Sequence, residues 1–304
     1  MTAPSVHSGV VPPVLPLPVS VLRRGNPLSP RLPAPHHGHM TTTTELFEPE
    51  PPSTAARARS FDSAAAQYAA NRPSYPSALF DAVEDLAGRS LSGASVVDVG
   101  AGTGIATTLL HARGADVLAV EPGPGMAAEF RRGLPHIPLV RGNGNALPVA
   151  DGQADFLTYA QAWHWTDPAH SVPEALRVLR PGGALALWWN TEALDVDWIA
   201  AEADRTARFF GVDGATEKRR AGGITDRADP SGRLAFTRRE IRWSRRVPVD
   251  THLANIGSHS LFLVTAQDRG AAFLQEERAH LLEVFPDGIV EETYDVLLLV
   301  ATRP

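Results

Sequence analysis

Residues 96–104 read Val-Val-Asp-Val-Gly-Ala-Gly-Thr-Gly, a short apolar strand that runs into a glycine-rich turn. Glycine at 100, 102 and 104 removes Cβ atoms that would hold a ligand away from the backbone. It also permits the positive φ of a tight strand-to-helix turn. A small polar molecule can then sit on main-chain N–H groups. The dinucleotide fingerprint G-x-G-x-x-G differs: here the third glycine comes one place early and Ile105 holds the dinucleotide position, which counts against NAD or FAD.

Downstream of this turn, strand-like and helix-like segments alternate. Strands are expected over 95–99, 116–121, 137–141, 154–160 and 184–189, with helices over 104–113, 126–132 and 170–179 between them. Such alternation implies a parallel sheet covered on both faces. Upstream, the sequence turns helical from Ala55, with Phe61, Ala64, Ala65 and Tyr68 on one face, until Arg72-Pro73-Ser74-Tyr75-Pro76 breaks it, and a second helix over 77–87 stops at Gly88. Downstream, helices are expected over 197–210 and 267–284, a loop or insertion over 211–233, and two long strands over 236–247 and 291–301 that fit an antiparallel hairpin at the sheet edge.

The chain has 304 residues, a formal net charge of −6 and 43 % hydrophobic residues. This suits a soluble α/β protein and argues against general affinity for nucleic acid, which needs an excess of Lys and Arg. Absence of cysteine excludes a disulfide framework, a thiolate nucleophile and Cys-ligated metal. Twelve of the 26 prolines fall in the first 52 residues, so residues 1–54 are expected to be a disordered leader and residues 55–304 the folded domain, with its core over 92–192 and substrate-side segments over 193–304. Prolines 12, 13, 16 and 18 interrupt the one leader-like apolar run, and Met40 is a candidate start. No stretch has the roughly 18 consecutive apolar residues of a membrane-spanning helix. A cytoplasmic protein without a membrane partner is expected. No metal is expected either, since His36, His37 and His39 lie in the leader.

Four ordered stretches carry a family resemblance: Asp98-Val99-Gly100-Ala101-Gly102-Thr103-Gly104, Ala119-Val120-Glu121-Pro122, Gly142-Asn143-Gly144-Asn145-Ala146-Leu147-Pro148, and Leu176-Arg177-Val178-Leu179-Arg180-Pro181-Gly182-Gly183. With them, residues 60–192 resemble a class I S-adenosylmethionine-dependent methyltransferase domain of the small-molecule type 11 group. The resemblance implies a doubly wound, mostly parallel, seven-stranded Rossmann-like sheet with an antiparallel edge hairpin and N-terminal lid helices. It implies S-adenosyl-L-methionine as cofactor and a small-molecule acceptor.

Expected cofactor contacts are the loop Gly100, Ala101, Gly102, Thr103 and Gly104, then Glu121 on the ribose hydroxyls with Pro122 beside it, and Asn143 with Gly144 near the adenine. The family usually has aspartate where this chain has Asn143. Asp98 is expected to order the loop or to meet the cofactor's ammonium group through water. Gln161 follows the fourth strand, and the resemblance gives Tyr68 and Arg72 a lid role. Ordinary packing is the other reading of that pair.

Methyl transfer from a sulfonium mainly needs alignment and exclusion of water. His164, within Trp163-His164-Trp165, is the best candidate for a general base; the alternative is a histidine packed between aromatics as pocket wall. Tyr159, His170, His259 and Tyr294 are weaker candidates. Arg238, Arg239, Arg242, Arg245 and Arg246 cluster on one late strand, the single feature favouring a nucleic-acid substrate. Three functions stay open: a methyltransferase, a non-catalytic protein of the same fold for ligand sensing or partner binding, and a less favoured NAD-dependent oxidoreductase.

Overall fold

The computed structural model describes residues 60–62, 64–212 and 228–304. The expected leader, with Met40 and its histidines, and most of the 211–233 loop lie outside the described residues. The elements below all belong to the unit Glu50–Pro304.

Two helices, α1 (Ala65–Asn71) and α2 (Ser77–Ala87), precede the first strand. Strands and helices then alternate as β1 (Ser95–Val99), α3 (Ile105–Ala112), β2 (Asp116–Glu121), α4 (Pro124–Gly133), β3 (Leu139–Arg141) and β4 (Ala154–Ala160). A 3₁₀ turn over Trp163–Trp165 leads to α5 (Pro168–Val178) and β5 (Leu179–Glu192). The remaining elements are α6 (Asp197–Phe209), β6 (Thr237–Pro248), α7 (Val249–Gly257), α8 (Ser260–Leu263), α9 (Gln267–Val284) and β7 (Ile289–Thr302).

The seven strands are ordered β3-β2-β1-β4-β5-β7-β6. β1 to β5 run parallel, while β7 is antiparallel to both β5 and β6. Strand order reverses between β1 and β4, and open sheets of this kind bind ligands outside the carboxyl ends at such a point. Alternation along β1 sends Val96 to a core shared with Leu79 and Phe80 of α2, and Val97 and Val99 to the opposite core with Val172 and Ala175 of α5. A third apolar cluster, with Val249, Leu253, Phe262, Phe273 and Leu281, is built by α7, α8 and α9.

Several boundaries differ from expectation for physical reasons. Phe61 and Asp62 lie in a turn ahead of α1, because the Asp62 carboxylate is drawn to the N–H groups of Gly125 and Met126. Pro124 at the first helical position starts α4 two residues early. β5 reaches Glu192 by pairing with β7 along its length, and the late strands enclose three helices where one, over 267–284, was expected. Of those, α7 and α8 were not anticipated.

Candidate active site

A cavity of about 890 Å³ opens at the carboxyl ends of β1, β2 and β4 and continues between β5, α6, α7 and the start of β7. Of the expected site residues, Tyr68, Arg72, Gly100, Gly102, Glu121, Pro122, Asn143, Gly144, Gln161 and His164 line it. Asp98, Ala101, Thr103 and Gly104 do not.

The glycine turn is held from beneath by its own sheet: the N–H of Gly100 donates to Val120 O at 2.8 Å and that of Gly104 to Ala101 O at 2.9 Å. The three glycines do different work, which corrects the expectation that all three make room for a ligand. A Cβ on Gly100 would stand 2.5 Å from Ala162 Cβ, and one on Gly104 would stand 2.5 Å from Leu134 Cδ1. Their missing side chains admit protein. Only at Gly102, with φ +57°, would a Cβ enter open space. Asp98 is fully buried beneath the turn, and its carboxylate accepts from Thr107 Oγ1 at 2.6 Å and Thr158 Oγ1 at 2.9 Å. Burial pushes its pKa up to about 6, against the pull of the two hydroxyls.

Glu121 joins two loops. Its Oε2 accepts from Gly102 N at 2.8 Å and its Oε1 from Gly123 N at 2.7 Å. Burial raises its pKa while these two donors oppose the rise. Each carboxylate oxygen has a second lone pair, so the group can fix the turn and still receive a ligand hydroxyl. Asn143 Oδ1 accepts from Asn145 N at 2.9 Å, so the oxygen expected to face a base amino group also serves its own turn and keeps one lone pair for a ligand. Glu174 and Arg177 secure the segment that follows: Glu174 Oε2 accepts from Leu147 N at 2.7 Å and Arg177 donates to Val149 O at 2.7 Å. Gln161 has φ +59°, a backbone state costing a non-glycine residue about 1 kcal/mol or more and concentrated at functional sites. Its N–H is held by Trp188 O at 2.8 Å.

The N-terminal segment forms one wall. Phe61 meets Tyr68 and Trp165 edge-on, and the Arg72 guanidinium lies 4.7 Å from the Tyr68 ring centre. Arg72 Nε is buried without a hydrogen-bond partner. Phe61 and Asp62 also line the cavity and were missed from sequence, because Asp62 meets its helix 63 residues further along the chain.

His164 lines the cavity, and the Trp189 indole N–H donates to its Nδ1 at 3.2 Å. That bond places the neutral ring's proton on Nε2 and occupies the lone pair a base would use. Tyr159, His259 and Tyr294 also line the cavity. His170 does not; it is exposed and paired with Asp167.

A buried polar cluster in the far wall had no sequence signal beyond scattered acids. His252 Nδ1 lies 2.7 Å from Glu292 Oε1, and its Nε2 lies 2.8 Å from Glu202 Oε1. Burial alone would lower the His252 pKa, but the two carboxylates bring it up to about 9, so the ring carries both protons at neutral pH. Burial raises the Glu202 pKa in spite of that contact. Among the described residues no group of His, Asp and Glu could hold a metal ion.

The strand order and the glycine turn with its acidic strand end define a Rossmann-like α/β domain with the class I methyltransferase architecture. Residues 97–187 match the family model of a methyltransferase domain. An uncharacterized methyltransferase of Mycobacterium tuberculosis is 45 % identical over 140 residues, 46 % of this chain and 56 % of that protein. A demethylmenaquinone methyltransferase of Beutenbergia cavernae is 38 % identical over 96 residues, 31 % of this chain and 40 % of that protein. The matches thus span about half the length of the curated relatives, or less. A solved candidate type II methyltransferase from Anaeromyxobacter dehalogenans shares the fold, with a TM-score of 0.54, 23 % identity, and coverage of 76 % of this chain and 96 % of that one.

Proposed function

We propose that the protein transfers a methyl group from S-adenosyl-L-methionine to a small-molecule acceptor. The observation that carries this reading is Glu121, fixed by the Gly102 and Gly123 N–H groups at the rim of a large cavity, next to the one glycine of the turn that opens onto space. A nucleoside fits here with its ribose on Glu121 and its amino-acid part over Gly102. When bound, the sulfonium supplies an activated methyl group. The residues of this chain then have to orient the acceptor and keep water out, a task suited to the wall of Phe61, Tyr68, Trp165 and Trp189. The methyltransferase names of the relatives support the reaction class, and demethylmenaquinone as one relative's substrate supports a small-molecule acceptor.

Nucleic acid is not favoured as substrate. Arg238, Arg239, Arg242, Arg245 and Arg246 do share edge strand β6, but each is paired with an acid, namely Glu240, Asp85, Asp195 with Asp295, Glu292 and Asp287 respectively. A phosphate backbone would have to displace those partners. Among the described residues no helix is long and apolar enough to cross a membrane, and a cytoplasmic location without a membrane partner remains part of the proposal.

The second reading, a non-catalytic protein that senses a ligand with the same fold, draws on Asn143 standing where the family usually has aspartate, with its oxygen shared by Asn145 N. Incubation of the full chain with S-adenosylmethionine and a metabolite extract separates the two. Turnover to S-adenosylhomocysteine supports methyl transfer, whereas cofactor binding without turnover supports sensing.

A further inference from the structure

Away from Glu121 and Gly102, the cavity continues into a chamber whose apolar walls include Trp198, Ile199, Ile256 and Leu261. Around His252 the polar side chains of the lining are committed to one another. Both His252 nitrogens face carboxylates, so neither is left to donate to a ligand. Arg245 commits Nε to Glu292 and its terminal nitrogens to the carbonyls of Asn71 at 2.9 Å and Arg72 at 3.3 Å. The Tyr294 hydroxyl donates to Glu292 Oε2 at 2.9 Å, since a carboxylate is a stronger acceptor than an amide.

That last bond settles the orientation of Asn255. With its proton on Glu292, Tyr294 can only accept from Asn255, which presents Nδ2 to it at 3.2 Å and turns Oδ1 the other way. Asn255 is 5 % exposed, lines the chamber, and its Oδ1 is buried with no partner. A buried acceptor without a donor is costly, and such an atom in a ligand cavity marks where a ligand donates. The Glu202 carboxylate, also in the lining, adds acceptor capacity of the same kind.

We propose that this chamber binds the methyl acceptor through an O–H or N–H group donated to Asn255 Oδ1 and the Glu202 carboxylate, and that it rejects acceptors whose head group is a carboxylate or phosphate. The acceptor class is therefore an alcohol, phenol or amine on an apolar body. An anionic head group would meet the oxygens of Asn255 and Glu202 while the cluster's donors stay committed to one another. This inference rests on the methyl-transfer reading above, since it assigns the chamber to the acceptor of that reaction.

The test is calorimetric titration of the full chain, saturated with S-adenosylhomocysteine, with three matched pairs of probes: 2-naphthol against 2-naphthoate, p-cresol against p-toluate, and tryptamine against indole-3-acetate. The donor member of each pair is expected to bind at least tenfold more tightly. Asn255→Leu should remove most of that preference while leaving S-adenosylhomocysteine affinity within about twofold. Glu202→Gln, which keeps the size of the side chain, should weaken tryptamine more than p-cresol, and it stands in if Asn255→Leu does not fold. Carboxylates that bind as well as their partners, or pairs in which neither member binds, would overturn the proposal. Failure of the wild-type chain to bind S-adenosylhomocysteine would strike the methyl-transfer reading instead, and the donor preference would then be read on the protein alone.

Discussion

The indole N–H of Trp189 donates to Nδ1 of His164 across 3.2 Å, which makes the histidine an acceptor inside its own wall. Its proton then sits on Nε2. A side chain that presents one oxygen at the Nδ1 position can take its place, so His164→Asn is expected to keep activity within about threefold, measured as S-adenosylhomocysteine formed with a metabolite extract. Loss of a general base would instead cost about 10²–10⁴-fold and would restore the base assignment.

Glu121 has the opposite standing. In Glu121→Gln the amide nitrogen must face either Gly102 N–H or Gly123 N–H, leaving a donor against a donor in a buried place. Lost charge-assisted bonds of this kind cost about 1.5–3 kcal/mol, so affinity for S-adenosylhomocysteine should fall by about 10- to 100-fold in calorimetry. Unchanged affinity would mean that neither the turn nor the ribose depends on this carboxylate.

The glycines of the turn should separate by phenotype. Gly104→Ala drives a Cβ to 2.5 Å from Leu134 and 3.0 Å from Phe130, so it should lower the melting temperature. A Cβ at Gly102 meets no protein atom within 4 Å, so Gly102→Val should cost mainly the strain of φ +57°, about 1–2 kcal/mol, while blocking the cofactor. Melting and cofactor titration on both variants check this. A Gly102→Val protein that binds the cofactor as well as wild type would show that the turn does not face it.

Two buried groups tie stability to pH with definite signs. Asp98 has a folded pKa of about 6, above its ordinary value near 3.8, so the folded state holds its proton more tightly and stability falls as pH rises between those values. Asp98→Asn should remove that decline, and its melting temperature should gain on wild type from pH 4 to pH 7. His252 has a folded pKa of about 9, so its contribution is complete below about pH 6.5 and is lost as pH rises through 9. His252→Gln should flatten the stability profile over that upper window. Parallel melting curves for wild type and either variant would refute the corresponding assignment.

The sequence was most legible where a short stretch determines its own geometry. The run into Gly100, the acid that ends β2, and the alternation of strands and helices all depend on neighbours in the chain, and the strands fell where periodicity put them apart from their ends. Contacts between distant residues were not legible. Asp62 reaches Gly125, His252 lies between Glu202 and Glu292, and Arg245 clasps the end of α1, joining segments that share no local pattern. Even within the turn, spacing alone could not tell Gly102, which opens onto the cavity, from Gly100 and Gly104, which admit Ala162 and Leu134.

The reaction class follows from the nucleoside that the Glu121 and Gly102 rim receives. Calorimetric titration of the full chain with S-adenosylmethionine, S-adenosylhomocysteine and NAD tests this most directly. Binding of both sulfur nucleosides, absence of NAD binding, and loss in Glu121→Ala and Gly102→Val is the predicted result. Binding of NAD, or of none of the three by a protein shown to be folded, would contradict it.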